Sequence, residues 1–403
     1  MKINYFNCLE KKLNTDNVIK ELNQKINLEL KNLPCLKIVN DKEILTKTKE
    51  ITNNFSKNKN KFFVFGTGGS NLGARALINI IREPLESQIE FYDNIDPIIF
   101  QNSFNSIDFK TTGFVFISKS GSTPETLSQL GSIIHKAEDQ NSLLEFYSNT
   151  LIITEFKESA LYKIAKKNKC LLMEHQQDIG GRFSVFSNVG MVPAIIAGMD
   201  VNEIFEGAKS IIDNEDYSNY YNLANIFNDS NHINLKSSVI MTYSDNLYYF
   251  GKWYLQLWSE SIGKENKGVT AIHSVGTTDQ HSQLQLYLDG PKDKFFTFIT
   301  TEHSNMGLKI SDEISKAGIN FLANKKMGDL MEAEQRATID TFKNNSFKIR
   351  NIFLPKINAK SIGKLMAVSI IETVAACRYL GVDPFNQPAV EEGKILTKKY
   401  LIN

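Results

Sequence analysis

Residues 113–126, GFVFISKSGSTPET, decide the fold: an apolar run, a turn of small hydroxylated residues, then a proline where a helix opens. Gly113 to Ile117 reads as a buried strand, and Pro124 as a first helical residue, whose fixed φ suits that position. Between them Ser118, Ser120, Ser122 and Thr123 supply hydroxyls, with no acidic group before Glu125. A helix start offers unpaired N–H groups and the positive end of a dipole, so the loop reads as a phosphate cradle with Thr123 as the cap. The same unit recurs. Lys61 to Phe65 is an apolar strand closed by Gly66-Thr67-Gly68-Gly69-Ser70 ahead of helically spaced Leu72 to Ile81, and Leu151 to Thr154 precedes Ser159 to Lys167. A second series runs through Ser238 to Tyr243, a helical stretch to Ser261, and Phe295 to Ile299. Strands that alternate with helices imply parallel sheets, so the expected fold class is α/β, two doubly wound parallel-sheet domains with helices on both faces. Their expected bounds are 56–215 and 216–403, the second with C-terminal helices. Residues 1–55 are expected to be a helical segment, with Ile19, Leu22, Ile26 and Leu30 on one face. Ligands in such sheets gather beyond the carboxyl ends of the strands, where both glycine-bearing loops fall.

A chain of 403 residues suits two such halves. With 46 basic against 45 acidic side chains there is no global field to recruit nucleic acid or an anionic membrane, and neither is an expected partner. No apolar stretch has the length of a signal peptide or a membrane span, so a cytoplasmic protein is expected. Cys8, Cys35, Cys170 and Cys377 are scattered singly and read as reduced thiols rather than a zinc set or disulfide framework. The asparagine-rich patch from Asn214 to Asn231 reads as a loop shaped by composition bias.

The Gly66 to Gly73 loop invites comparison with the dinucleotide fingerprint, but Asn71 stands at the third glycine position. Small residues still let backbone approach a bound sugar, with Gly69 and Ser70 in contact, while an unliganded tight turn is the plain alternative. Five separated segments, in order, then carry a resemblance from Phe62 to Lys399. They are Gly66 to Gly73, Ser118 to Thr126, Gly180-Gly181-Arg182-Phe183-Ser184, Glu260-Ser261-Ile262-Gly263-Lys264, and Gln387 through Val390 to Lys394. Together they resemble the glucose-6-phosphate (phosphoglucose) isomerase family, as a compact variant built on two sugar-isomerase (SIS-type, flavodoxin-like) domains. The resemblance implies reversible conversion of glucose 6-phosphate and fructose 6-phosphate in glycolysis and gluconeogenesis, usually in a homodimer, with no metal and no other cofactor. The small-molecule partner is then a hexose phosphate.

Phosphate binding is expected from Ser118, Lys119, Ser120 and Thr123, with Lys119 adding charge if its side chain turns inward. Moving a proton between C2 and C1 passes through an enediolate, which a fixed cation stabilises, and Arg182 is the expected one. By resemblance Lys394 assists ring opening and Gln387 touches the phosphate. The base is where the match departs. The glutamate of the family's G-E-P-G-T-N-G-Q-H element is replaced by Ser274, whose hydroxyl is no carboxylate base. Asp279, Glu260, His273 and His281 are the nearby alternatives; Glu260 is preferred as base, because its motif is intact, with His281 as a second site residue. His273, Asp279 and His281 also make an adequate ligand set for zinc or iron, although a metal-free site is the expectation. Two other functions stay open: a bifunctional phosphoglucose/phosphomannose isomerase, and a non-catalytic phosphosugar-binding protein that needs neither Arg182 nor Lys394.

Overall fold

The structure, a computed structural model, describes residues 1–8, 17–81, 87–214, 216–228 and 235–402. Five strands form the first sheet: β2 (Lys61–Phe65), β3 (Gln88–Tyr92), β4 (Thr112–Ile117), β5 (Thr150–Thr154) and β6 (Leu171–Glu174), in the order β3-β2-β4-β5-β6. All neighbours run parallel, with Phe62 opposite Gly113 and Val115 opposite Leu151. Every residue of β4 and β5 is buried, as expected for a parallel sheet covered on both faces. The second sheet comprises β7 (Ser237–Thr242), β8 (Thr270–Val275), β9 (Lys294–Thr301), β10 (Ile349–Leu354) and an edge strand, β1 (Lys2–Phe6), in the order β1-β10-β9-β7-β8.

The edge strand corrects the reading of residues 1–55 as wholly helical. β1 lies antiparallel to β10, with Lys2 opposite Phe353. It covers a sheet margin whose N–H and C=O groups otherwise face solvent unpaired. The rest of that segment is helical, at Asn17–Asn32, Pro34–Lys37 and Lys42–Ser56, and Ile26 and Leu30 are buried as their spacing implies. The patch read as a loop at Asn214 to Asn231 is described only in part, and there Asn222–Asn228 is a helix that buries Leu223, Ala224 and Ile226. The expected boundary at residue 215 lies outside the described residues.

Two helix pairs join the halves. Val201–Ile212 crosses Ala359–Leu380 so closely that a Cβ on Gly207 would stand 2.0 Å from Lys360 O, and one on Gly363 2.1 Å from Ile204 O. Tyr248–Ile262 packs against Leu72–Ile78, where Arg75 reaches Asp93 at 3.1 Å, hydrogen-bonds the Tyr249 hydroxyl and lies 4.0 Å over the Tyr249 ring. Beneath, Trp253, Tyr254, Leu257 and Trp258 are buried, so the aromatic run serves packing. Arg350 and Glu372, both 1% exposed, form a 2.6 Å ion pair that ties β10 to the long helix. Among the described residues no helix is long and apolar enough to cross a membrane, and all four cysteines are unpaired.

Candidate active site

The loop after β4 is preorganised by its own hydroxyls. Ser118 is buried; its Oγ shares a 2.8 Å hydrogen bond with Thr123 Oγ1 and accepts from the Gly121 N–H at 3.2 Å. Ser120 stays exposed, its Oγ accepting from the Ser122 N–H and hydroxyl. Thr123 occupies the N-cap position of helix Pro124–Asp139, yet its side chain makes no cap hydrogen bond. This corrects the capping expectation: Ser118 claims the Thr123 hydroxyl, so no side chain competes with an anion for the first helical amides. Lys119 departs as well. Its ammonium donates to Gln177 O at 2.8 Å and Ile179 O at 3.0 Å, with Glu155 at 3.7 Å. The charge is therefore turned onto the segment leading into Gly180-Gly181-Arg182, not into the cradle.

That segment and the loop after β2 meet backbone to backbone. A Cβ on Gly69 would lie 2.2 Å from the Gly181 carbonyl and 2.6 Å from Arg182 N, so only glycine permits the contact. Ser70, beside it, has a hydroxyl with no hydrogen bond to any described residue. Ser184 Oγ donates to Gly181 O at 2.6 Å and fixes the turn.

Arg182 is 4% exposed and spends five hydrogen bonds on the protein. Nε donates to Ser261 Oγ at 2.9 Å; Nη1 donates to Gln387 Oε1 at 2.7 Å and Glu260 Oε2 at 3.4 Å; Nη2 donates to Asn386 O at 3.1 Å and to Pro384 O. Burial lowers its pKa and Glu260 opposes the shift, and a guanidinium stays charged across the working pH range. Ser261 is fully buried, and Lys264 Nζ donates to the carbonyls of Glu260 and Ser261 at 2.8 and 2.6 Å. The Glu260 to Lys264 motif is thus a helix end built to present one carboxylate and one hydroxyl to Arg182, with Lys264 satisfying terminal carbonyls.

Sequence reasoning passed over Gln256, one helical turn before Glu260, whose Nε2 donates to Glu260 Oε1 at 3.1 Å. The i,i+4 spacing was the available signal. It also passed over the carbonyls of Pro384 and Asn386, which no side-chain pattern reveals.

Two expected site residues stand apart from the Arg182 cluster. Lys394 is exposed on helix Glu391–Ile402 and pairs with Glu391 at 2.6 Å. His281 is exposed at the turn after β8, and its ring makes no hydrogen bond to a described residue. Ser274 is buried, bonded to the Tyr287 hydroxyl at 2.8 Å and Gln283 Oε1 at 3.1 Å. His273 lies under Gly251 with Nε2 3.1 Å from Thr242 Oγ1; burial pushes its pKa down to about 4 and keeps the ring neutral. Asp279 accepts from Val275 N at 2.7 Å and from Ser282 Oγ at 2.8 Å. His273, Asp279 and His281 therefore do not converge as a metal set, and among the described residues no three His, Cys, Asp or Glu side chains are placed to hold one.

Residues 44–402 match the family model described as phosphoglucose isomerase. A probable glucose-6-phosphate isomerase of Methanococcus maripaludis is 35% identical over 359 residues, spanning 87% of this chain and 80% of that protein. The glucose-6-phosphate isomerase of Carboxydothermus hydrogenoformans is 30% identical, spanning 94% of this chain and 86% of that protein. Among solved structures, a hypothetical protein from Thermus thermophilus aligns with a TM-score of 0.87 at 27% identity, covering 96% of this chain and 95% of that one. A glucose-6-phosphate isomerase from Chlamydia trachomatis shares the fold at a TM-score of 0.76 and 22% identity, over 89% of this chain and 73% of that one.

Proposed function

The chain belongs to the phosphoglucose isomerase family, and we infer that it interconverts glucose 6-phosphate and fructose 6-phosphate beyond the carboxyl ends of the first sheet. The observation that carries this reading is the Glu260–Arg182–Gln387 cluster, where three distant motif segments join one carboxylate, one guanidinium and one amide. The phosphate seats on the Ser118 to Thr123 loop, whose helix start is open to an anion. Gly69 and Ser70 flank the sugar.

In the open chain Glu260 removes the C2 proton, and the electron pair left behind forms the C1–C2 double bond and moves charge to O1. Arg182 stabilises that oxyanion. Since its five donors are engaged in the resting chain, the oxyanion takes the Gln387 carbonyl's place on Nη1, and the freed amide turns to the phosphate. The second hydroxyl's proton passes to O1, and Glu260 returns its proton to C1, giving the ketose with no net oxidation. Lys394 assists ring opening, and His281 acts from a second copy. The reading of a homodimer is supported by the exposure of both residues and by apolar surface beside Lys394, at Ile395, Tyr400 and Leu401, and on the segment after β9, at Leu308 and Phe321. We place the reaction in the cytoplasm, because hexose phosphates are dianions that a bilayer retains.

Purified protein assayed with fructose 6-phosphate through a coupled dehydrogenase should turn over, and mannose 6-phosphate run in parallel reads C2 selectivity. Absence of turnover with fructose 6-phosphate would sink the assignment.

A further inference from the structure

Glu260 faces two partners, and only one of them belongs to a motif with a role. Arg182 Nη1 stands 3.4 Å from Oε2, and Gln256 Nε2 donates to Oε1 at 3.1 Å. Amide–carboxylate pairs one turn apart are common on solvated helices, where they contribute little. Three observations separate this pair from that background. The Glu260 carboxylate is about two-thirds buried, at 32% exposure. The Gln256 amide lies against the loop after β2: Gly68 has φ +54°, and a Cβ on it would stand 2.7 Å from Gln256 Nε2. Finally, Gln256 Oε1 is buried without a partner among the described residues, so the amide holds this position with half of its hydrogen-bonding capacity unused. Exchanging the amide's oxygen and nitrogen would set a carbonyl against the carboxylate, which fixes the orientation.

We propose that Gln256 is a positioning residue for the isomerisation, holding the Glu260 carboxylate in the orientation from which it shuttles the proton, and itself held by the bare Cα of Gly68. The chain of contact runs from the sugar-side loop through Gln256 to Glu260 and Arg182, so any side chain at position 68 displaces the amide. This rests on Glu260 being the proton carrier. Removing the donor leaves the Glu260 carboxylate free to turn away from that orientation.

The test is the separate measurement of kcat and KM for Gln256→Met, which keeps length and loses the donor, and for Gln256→Glu, which sets a like charge beside Glu260. Gln256→Met should lower kcat by about 10-fold or more, on the scale of a hydrogen bond to a charged group, with KM little changed. Gln256→Glu, which turns a carboxylate oxygen toward Glu260 in place of the N–H, should lower kcat at least as far, again with KM little changed. Glu260→Gln is run beside them. If it is inactive while both Gln256 variants keep the wild-type kcat, the positioning role alone is overturned. If Glu260→Gln turns over normally, the proton-carrier assignment falls and the positioning role falls with it. Either Gln256 variant reports, so misfolding of one leaves the other to decide.

Discussion

Beyond the oxyanion role proposed for it, the Arg182 guanidinium holds the 384–387 segment to the body of the protein. Truncation to alanine strands a fully buried Ser261 hydroxyl and two backbone carbonyls. Arg182→Ala should therefore abolish turnover and also destabilise the fold by roughly 2–4 kcal/mol, read as a lowered midpoint in denaturant. An unchanged midpoint would mean that the clamp contributes nothing. Arg182, Glu260 and Gln387 were legible as members of motif segments, Gln387 through the resemblance alone. Their mutual contact was not, since the partners lie 78 and 205 positions from Arg182. The Lys119 side chain does not turn inward, for a local reason: backbone carbonyls at Gln177 and Ile179 lie within reach and accept its hydrogen bonds. Ser274, at the family glutamate's place, is buried and bonded to Tyr287 and Gln283.

At the level of elements, strands β2, β4, β5, β7 and β9 were legible as short apolar runs, since burial on both faces leaves no polar alternation to confuse them. β1 was not, because five mixed residues carry little signal and their partner lies near residue 350. The helix at Asn222–Asn228 was obscured by asparagine-rich composition, although tertiary burial of Leu223 and Ile226 overrides weak propensity there. Two histidines tie the strands to pH. His175, just after β6, and His273, in β8, are held by burial at pKa values of about 4, against an ordinary value of 6.5. The unfolded chain takes up these protons first as pH falls, so the stability they support is intact above about pH 6.5 and is lost toward pH 4. The melting temperature should fall across that window, and His273→Gln should shallow the slope; an equal slope in the variant would remove His273 as a contributor.

Across the whole molecule, one chain assembles Arg182, Glu260 and Gln387 but leaves His281 and Lys394 on the surface. If His281 serves a second copy, Glu260→Gln and His281→Ala proteins, each inactive alone, should regain about a quarter of wild-type activity when unfolded and refolded together, the statistical yield of one intact site per mixed dimer. No recovery would place His281 outside the reaction or within its own chain's site. The proton path tests the account most directly. Glucose 6-phosphate incubated in deuterated water with Glu260→Gln, and followed by proton NMR at C2, should keep its C2 hydrogen under conditions where the wild-type protein exchanges it. Exchange at the wild-type rate in that variant would contradict Glu260 as the carrier.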